Sequence, residues 1–277
     1  MAALRDSRIS RRAMLRGLAA LGVGTVAGAA AHGHLYGRHD IALTRASLEF
    51  PGLPPALGGL RIGFISDVHR SATVPHELID RAVRLLLTEA PDVIMLGGDY
   101  VTSRDRRYVG AAAEALAPLT APHGVLAVLG NHDDDRDMPA ALAARGFTVL
   151  RDQRTRLTIR GEALDVAGVR YWTHKPDVIA SVLRGAAPRT LLLAHTPARI
   201  IEAAALGVPL VLSGHTHGGQ IVLPGLGAIA ARKYPLVAGP GRRDRTTAFV
   251  TRGVGTVYVP VRLNCPPEVA VLTLLPT

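Results

Sequence analysis

Six short polar motifs between Asp67 and Gln220 bring together carboxylate, amide and imidazole groups in the mixture that a pair of divalent cations takes. They are Asp67-Val68-His69, Gly98-Asp99, Gly130-Asn131-His132-Asp133, Ala194-His195, Gly214-His215-Thr216-His217 and Gly218-Gly219-Gln220. Two cations roughly 3.5–4 Å apart need oxygen and nitrogen ligands, a carboxylate able to bridge them, and an open position for a hydroxide. Asp67, Asp99, Asn131, His69, His195, His215 and His217 meet that list, and hydrolysis of a phosphate ester is the chemistry such a pair performs. Asp99 has two oxygens with which to bridge, and the glycines before it let backbone and metal approach closely. Neutral imidazole suits Zn and Fe, carboxylate and amide oxygens also admit Mn or Mg, and no thiolate in the set narrows the choice.

Residues so far apart in sequence need a scaffold that gathers them at one place. Five of the motifs follow a short apolar run bounded by glycine, proline or polar residues, and the sixth continues the fifth: Leu60 to Ser66, Val93 to Leu96, Val125 to Leu129, Leu191 to Leu193 and Leu210 to Leu212. Such runs read as buried strands, and stretches between them such as His76 to Glu89 carry the period of an amphipathic helix. In α/β sheets ligands bind beyond the carboxyl ends of the strands, so this alternation expects the whole set at one rim.

In this order the motifs resemble those of the calcineurin-like metallophosphoesterases, over roughly Leu60 to the C-terminus. The resemblance implies a four-layer α-β-β-α sandwich of two mixed sheets flanked by helices. It implies Asp67, His69 and His217 on one divalent metal, Asn131, His195 and His215 on the other, and Asp99 between them. His132 then stands beside the substrate as the group that protonates the leaving oxygen or stabilises its charge, and Asn131 also faces the substrate. Many relatives carry G-D-x-x-D, whose second aspartate orients that histidine, but here the position is Thr102. Asp133 stands close enough in sequence to orient His132, within an acidic loop that otherwise reads as a solvated loop and helix cap. Ser/Thr protein phosphatases carry an arginine after the aspartate of G-D-x-x-D and G-N-H-E in place of Gly130-Asn131-His132-Asp133, so protein dephosphorylation is disfavoured. His76, His123 and His174 stand outside the motifs and read as ordinary surface or core histidines.

The N-terminal segment speaks to location. Ser10-Arg11-Arg12-Ala13-Met14-Leu15-Arg16 resembles the twin-arginine export signal and precedes an Ala/Gly-rich apolar run from Gly17 to Ala31, with Ala29 and Ala31 offering an A-x-A cleavage site. No formally charged residue falls between Gly17 and Gly37, a stretch near the roughly 20 residues that span a bilayer, although its glycines and His32 and His34 favour cleavage over a permanent anchor. The expected division is a signal segment over 1–31, a lead-in strand and loop over 32–58, and the catalytic domain over 59–277. The expected address is the periplasm, the cell wall or the outer face of the cytoplasmic membrane, reached through the twin-arginine translocation machinery.

Net charge is +10, of which the signal segment holds five arginines against Asp6. The remaining basic balance suits anionic headgroups or cell-wall polyanions, and peripheral membrane contact is expected. With 4% aromatic residues and no stacking motif, nucleic acid is not an expected partner. One cysteine, Cys265, precludes an intrachain disulfide framework. Near the C-terminus, Arg262-Leu263-Asn264-Cys265-Pro266-Pro267-Glu268 resembles a segment of a bacterial branch of the family that includes phosphodiesterases and enzymes cleaving the pyrophosphate of UDP-2,3-diacylglucosamine. That synthesis is cytoplasmic, which the export signal argues against. Arg262 is a candidate for contact with a substrate phosphate, a structural ion pair being its other fate. The sequence thus points to an exported phosphoesterase acting by a hydroxide held between two metals, on phosphodiesters of lipids or cell-wall polymers first and phosphomonoesters second. Its competitor is a metal-binding surface protein that kept the fold without catalysis.

Overall fold

The apolar runs form strands whose alternate side chains enter different cores. The computed structural model describes residues 10–186 and 189–277. In chain order its strands are β1 (Ala42–Phe50), β2 (Arg61–Ile65), β3 (Val93–Leu96), β4 (Val125–Ala127), β5 (Thr148–Val149), β6 (Gln153–Ile159), β7 (Glu162–Val169), β8 (Thr190–Ala194), β9 (Leu210–Ser213), β10 (Gly239–Arg243), β11 (Thr246–Val250) and β12 (Glu268–Pro276). The α-helices are α1 (Arg11–His32), α2 (His76–Leu87), α3 (Val109–Leu116), α4 (Asp137–Ala143), α5 (Pro176–Leu183) and α6 (Ile200–Ala205).

Two six-stranded sheets result, ordered β1-β12-β2-β3-β4-β5 and β10-β11-β9-β8-β7-β6. Both are mixed. The first is parallel except between β12 and β2, and the second is parallel except at its two outer pairs. In a strand successive side chains point to opposite faces. Ile62, Phe64, Val93 and Met95 of the first sheet therefore meet Leu191, Leu193, Leu210, Leu212 and Phe249 of the second in a core between the sheets. Their neighbours Ile65, Ile94 and Leu96 face away, into a second core with Leu78, Ile79, Ala82, Val83 and Leu86 of α2 and with α3 and α4. On the other side Leu192, Ala194 and Val211 pack against Ile179 of α5 and Ile200 and Ala203 of α6. The four layers expected from the resemblance are all present.

β2, β3, β4, β8 and β9 fall where the sequence expects strands. The hairpin of β6 and β7 and the pair β10–β11 carry no chemistry-bearing motif and stand outside the strand-then-motif alternation. β1, in the lead-in segment, pairs in parallel with β12 from Ala42↔Glu268 to Phe50↔Pro276, so the two ends of the domain close one sheet edge together. α1 is long and apolar enough to cross a membrane and none of that span is buried against the rest of the chain.

Candidate metal centre

The loops after β2 and β3 are tied to each other by backbone hydrogen bonds, from the amides of Asp67, His69 and Arg70 to the carbonyls of Gly98, Asp99 and Tyr100, at 2.8–2.9 Å. The amide of Gly214, after β9, bonds the carbonyl of His195, after β8, at 2.9 Å. The amide of His215 then reaches across to the Asp67 carboxylate at 3.0 Å, joining the two sheets at the rim. These turns are tight. Asp67, His69, Asp99, His215 and His217 all hold φ between 51° and 72°, a left-handed conformation that side chains other than glycine avoid. Such residues cost of order 1–3 kcal/mol each and persist where the surroundings force them, which is common at functional sites.

Two clusters of ligand atoms result. Asp67, His69 and His217 form one, Asp99, His195 and His215 the other, each with its ligand atoms within 4.8 Å of one another. In the first, Nε2 of His69 and Nε2 of His217 face each other at 3.1 Å; in the second, Nε2 of His195 and Nδ1 of His215 do the same, also at 3.1 Å. Asp99 Oδ2 stands 3.1 Å from His195 Nε2 and 3.5 Å from His69 Nε2, one carboxylate reaching both clusters. Gly130 makes this possible, since a Cβ there would lie 2.1 Å from Asp99 Oδ1. Asn131 lines the same cavity, and its Oδ1 is buried without a hydrogen-bond partner. A buried orphan acceptor is costly, and converging lone pairs repel, so these residues fit divalent cations. Two groups of candidate ligands are therefore in place; the metals' identity is not set by them.

Hydrogen bonds behind the imidazoles fix which nitrogen carries a proton. Nδ1 of His195 lies 2.7 Å from the Gly97 carbonyl, which only accepts, so Nδ1 donates and Nε2 is left free for a cation. His69 Nδ1 has Thr102 Oγ1 at 3.2 Å, and His215 Nε2 has the Tyr234 hydroxyl at 2.5 Å. His132 is set the opposite way. The amide of Ser103 donates to its Nδ1 at 2.9 Å, so the neutral ring carries its proton on Nε2. Its own amide donates to Asp99 Oδ1 at 2.7 Å.

Burial pushes His69 down to about 4, His215 to about 3 and His217 well below the ordinary imidazole value, so these rings are neutral at neutral pH. Burial raises Asp67 to about 6. Burial also opposes charge on His195, but the Asp99 carboxylate beside it outweighs this and lifts His195 to about 9. Burial would raise Asp99 in turn, and His195 holds it well below the usual carboxylate range. Without a cation, a proton between Asp99 and His195 takes over part of its charge-neutralising work.

Two sequence expectations are corrected. Arg262 does not reach a substrate phosphate: it is 1% exposed, and its guanidinium donates to the carbonyls of Arg252, Gly253, Gly255 and Cys265, with Nη2 3.4 Å from His217 Nδ1. The loop it gathers lies under the metal cluster, where the amides of Val254 and Gly255 bond the carbonyls of Ser66 and Asp67. Nor is it an ion pair in the usual sense, since carbonyl dipoles face it. Asp133 does not orient His132. Its buried carboxylate accepts from the amides of Asp99, Tyr100, Val101 and Gly130 at 2.7–3.3 Å, clamping the turn that carries Asp99. Burial and the nearby Asp99 push it up to about 7 against those four donors.

The clusters open into a cavity of about 570 Å³ lined by Asp99, Asn131, His132, His215 and His217 at its base. Tyr171 and Tyr234 stand in its wall, ring centroids 5.2 and 5.1 Å from that of His215. Neither tyrosine belongs to a motif, so nothing in residue type or spacing marks them. Residues 60–219 match the model of the calcineurin-like phosphoesterase family. The chain is 31% identical to the uncharacterized metallophosphoesterase YkuE of Bacillus subtilis (strain 168), over 98% of this chain and 99% of that one. It is 32% identical to the phosphodiesterase YaeI of Escherichia coli (strain K12), over 96% and 100%. Among solved structures the NAD nucleotidase NadN of Haemophilus influenzae superposes with a TM-score of 0.51 at 14% identity, covering 70% of this chain and 45% of that one. That likeness is one of fold.

Proposed function

The chain belongs to the calcineurin-like phosphoesterase family, a family of metal-dependent hydrolases, and we propose that this member cleaves phosphodiesters outside the cytoplasmic membrane. The observation that carries the reading is the pairing of two ligand clusters around Asp99 with the orphaned Asn131 Oδ1 beside them. Asp67, His69 and His217 would hold one divalent cation and Asn131, His195 and His215 the other, with Asp99 shared. When bound, such ions supply acidified water as the nucleophile and offset charge on the phosphoryl oxygens.

The residues do the rest. Asn131 and His132 face the phosphate from the cavity floor. His132 Nε2–H is directed by the Ser103 amide and supplies the proton that a departing alkoxide needs. The apolar upper part of the cavity, with Ile221, Leu223, Ile229 and Val259, favours an ester with a lipid or other apolar envelope component over a free sugar phosphate. The phosphodiesterase name of one relative supports diesters over monoesters.

The export reading rests on Arg11-Arg12 within its consensus; it puts the enzyme in the periplasm, the cell wall or the outer face of the membrane, delivered by the twin-arginine machinery. A route that carries folded chains suits a protein that must load metal before it leaves. The deciding experiment is metal analysis of protein from the exported fraction, followed by assays on aryl mono- and diesters. Two divalent ions per chain and faster diester hydrolysis are expected; a fully metallated protein inert to every ester would overturn the reading. Replacing Arg11 and Arg12 by lysine preserves charge but removes the guanidinium pair, and should leave the precursor in the cytoplasm. Undiminished export of that variant would sink the localisation.

A further inference from the structure

One wall of the cavity ends in an apolar rim that is left uncovered among the described residues. Leu226 is 55% exposed, Ile229 48%, Tyr258 88% and Val259 47%. Tyr258 also holds φ at 61°, a conformation that residues other than glycine avoid, and its ring meets that of His132 edge-on, centroids 6.0 Å apart, while staying largely exposed. Exposed apolar side chains are ordinary when scattered, but these four sit on two loops of one cavity: Ile229, Tyr258 and Val259 line it, and the Leu226 amide bonds the carbonyl of Leu223, which lines it too. Gln220 joins the loops: its side chain donates to the carbonyls of Val257 and Val259 and accepts from the amide of Val257, at 2.8–3.2 Å.

The same rim is built onto the end of α1. Past His32 the chain makes a π-helical turn, Gly33–Gly37, that packs on residues 260–262. The amide of Arg262 bonds the Gly33 carbonyl at 3.2 Å, and His34 Nδ1 donates to the Pro260 carbonyl at 2.9 Å. A Cβ on Gly33 would lie 2.7 Å from the Arg262 carbonyl oxygen, so only glycine allows this approach. The span Met14–Gly37 is thus a bilayer-length apolar helix fixed two residues from Tyr258-Val259. The helix also runs unbroken through Ala29–Ala31 to this packed turn. Exposed Arg232 and Lys233 flank the rim with positive charge, which suits anionic headgroups.

We infer that this rim docks on a lipid bilayer, with α1 retained as the anchor beside it, so that the cavity takes phosphate esters whose apolar part stays in the membrane. The inference rests on the phosphoesterase reading for the chemistry of the site, while the docking stands on geometry alone.

The test uses the full chain reconstituted in vesicles of phosphatidylethanolamine and phosphatidylglycerol. A single cysteine at Leu226 or Tyr258 is labelled with an environment-sensitive fluorophore; Cys265 is buried and is left in place. Arg145, exposed at the end of α4 by the opposite edge of the first sheet from β1, serves as control. Spin-labelled lipid should quench both rim labels by about twofold or more and leave the α4 label unchanged. Equal quenching at all positions, or none at the rim, overturns the docking. Intact mass of the exported protein should be that of the uncleaved chain, and a chain starting at His32 would remove the anchor. Hydrolysis of a soluble aryl diester by Leu226→Glu separates the two readings. With metal bound, retained hydrolysis and lost rim quenching support docking through Leu226. A wild type inert to the diester but quenched at the rim would defeat the phosphoesterase reading and leave the docking intact.

Discussion

In the cluster of Asp67, His69 and His217 all three side chains are buried and His217 of the three lines the cavity, whereas in that of Asp99, His195 and His215 both Asp99 and a half-buried His215 line it, with Asn131. Behind the first stand Thr102 and the guanidinium of Arg262; behind the second stand the Gly97 carbonyl and the Tyr234 hydroxyl, the latter in the cavity wall. The electrostatics differ as well. Burial leaves the first cluster with neutral imidazoles and a carboxyl raised to about 6, while Asp99 lifts His195 of the second to about 9. A shared carboxylate therefore serves one more deeply buried site with neutral ligands and one less buried site where a proton competes with the cation.

If Asp99 links the two, its charge matters to both. Asp99→Asn should lower turnover at least about a hundredfold with the fold retained, the scale of losing a preorganised electrostatic group. Near wild-type rates in a fully metallated variant would separate the clusters into independent sites. Next in size is His132, which lines the cavity and meets the His69 ring edge-on, centroids 5.0 Å apart. His132→Ala should cost roughly 10² to 10⁴-fold on alkyl diesters and much less on nitrophenyl diesters, whose leaving group departs without a proton. Equal losses on both would make His132 a phosphate-oxygen donor and no more.

Thr102 belongs to the more deeply buried cluster. Thr102→Val removes the partner of His69 Nδ1 and should weaken one of the two metals about 10 to 100-fold in a chelator competition, with Thr102→Ser restoring it. Weakening of both metals together would argue against separate sites. The smallest effect is a count of protons. At pH 8 the more deeply buried cluster has Asp67 ionised and its rings neutral, so a cation displaces no proton there; below about 6 it competes with the proton on Asp67. The less buried cluster should release one proton up to about pH 9, because a cation must replace that on His195. Calorimetry in buffers of different ionisation enthalpy reads this directly, and identical release from both sites would erase the distinction.

Much of this was legible from residue types alone. Strand-then-polar-cluster alternation placed β2, β3, β4, β8 and β9, because a strand buried on both faces reads as a continuous apolar run. β6, β7, β10 and β11 escaped it, since β6 and β10 are exposed edge strands of mixed polarity and no motif marks their ends. Arg262 shows a different limit. An arginine in a loop after a metal-binding motif suggests an anion, and only tertiary packing decides that backbone carbonyls claim its guanidinium first.

What the chain's sequence by itself determined is chemical: which side chains can hold cations, their order, the α/β alternation beneath them, and an apolar N-terminal segment after two arginines. Those follow from local periodicity and side-chain type. The tertiary structure decided what depends on approach between distant segments. It set the left-handed turns that aim Asp67, His69, Asp99, His215 and His217, and the Asp133 clamp that holds one of them. It also set the opposite proton placements of His195 and His132, and the docking of Gly33 against Arg262 that brings an apolar helix to the cavity mouth. Most rest on contacts across tens to hundreds of residues, and sequence spacing carries no record of a distance that only the packed sheets impose.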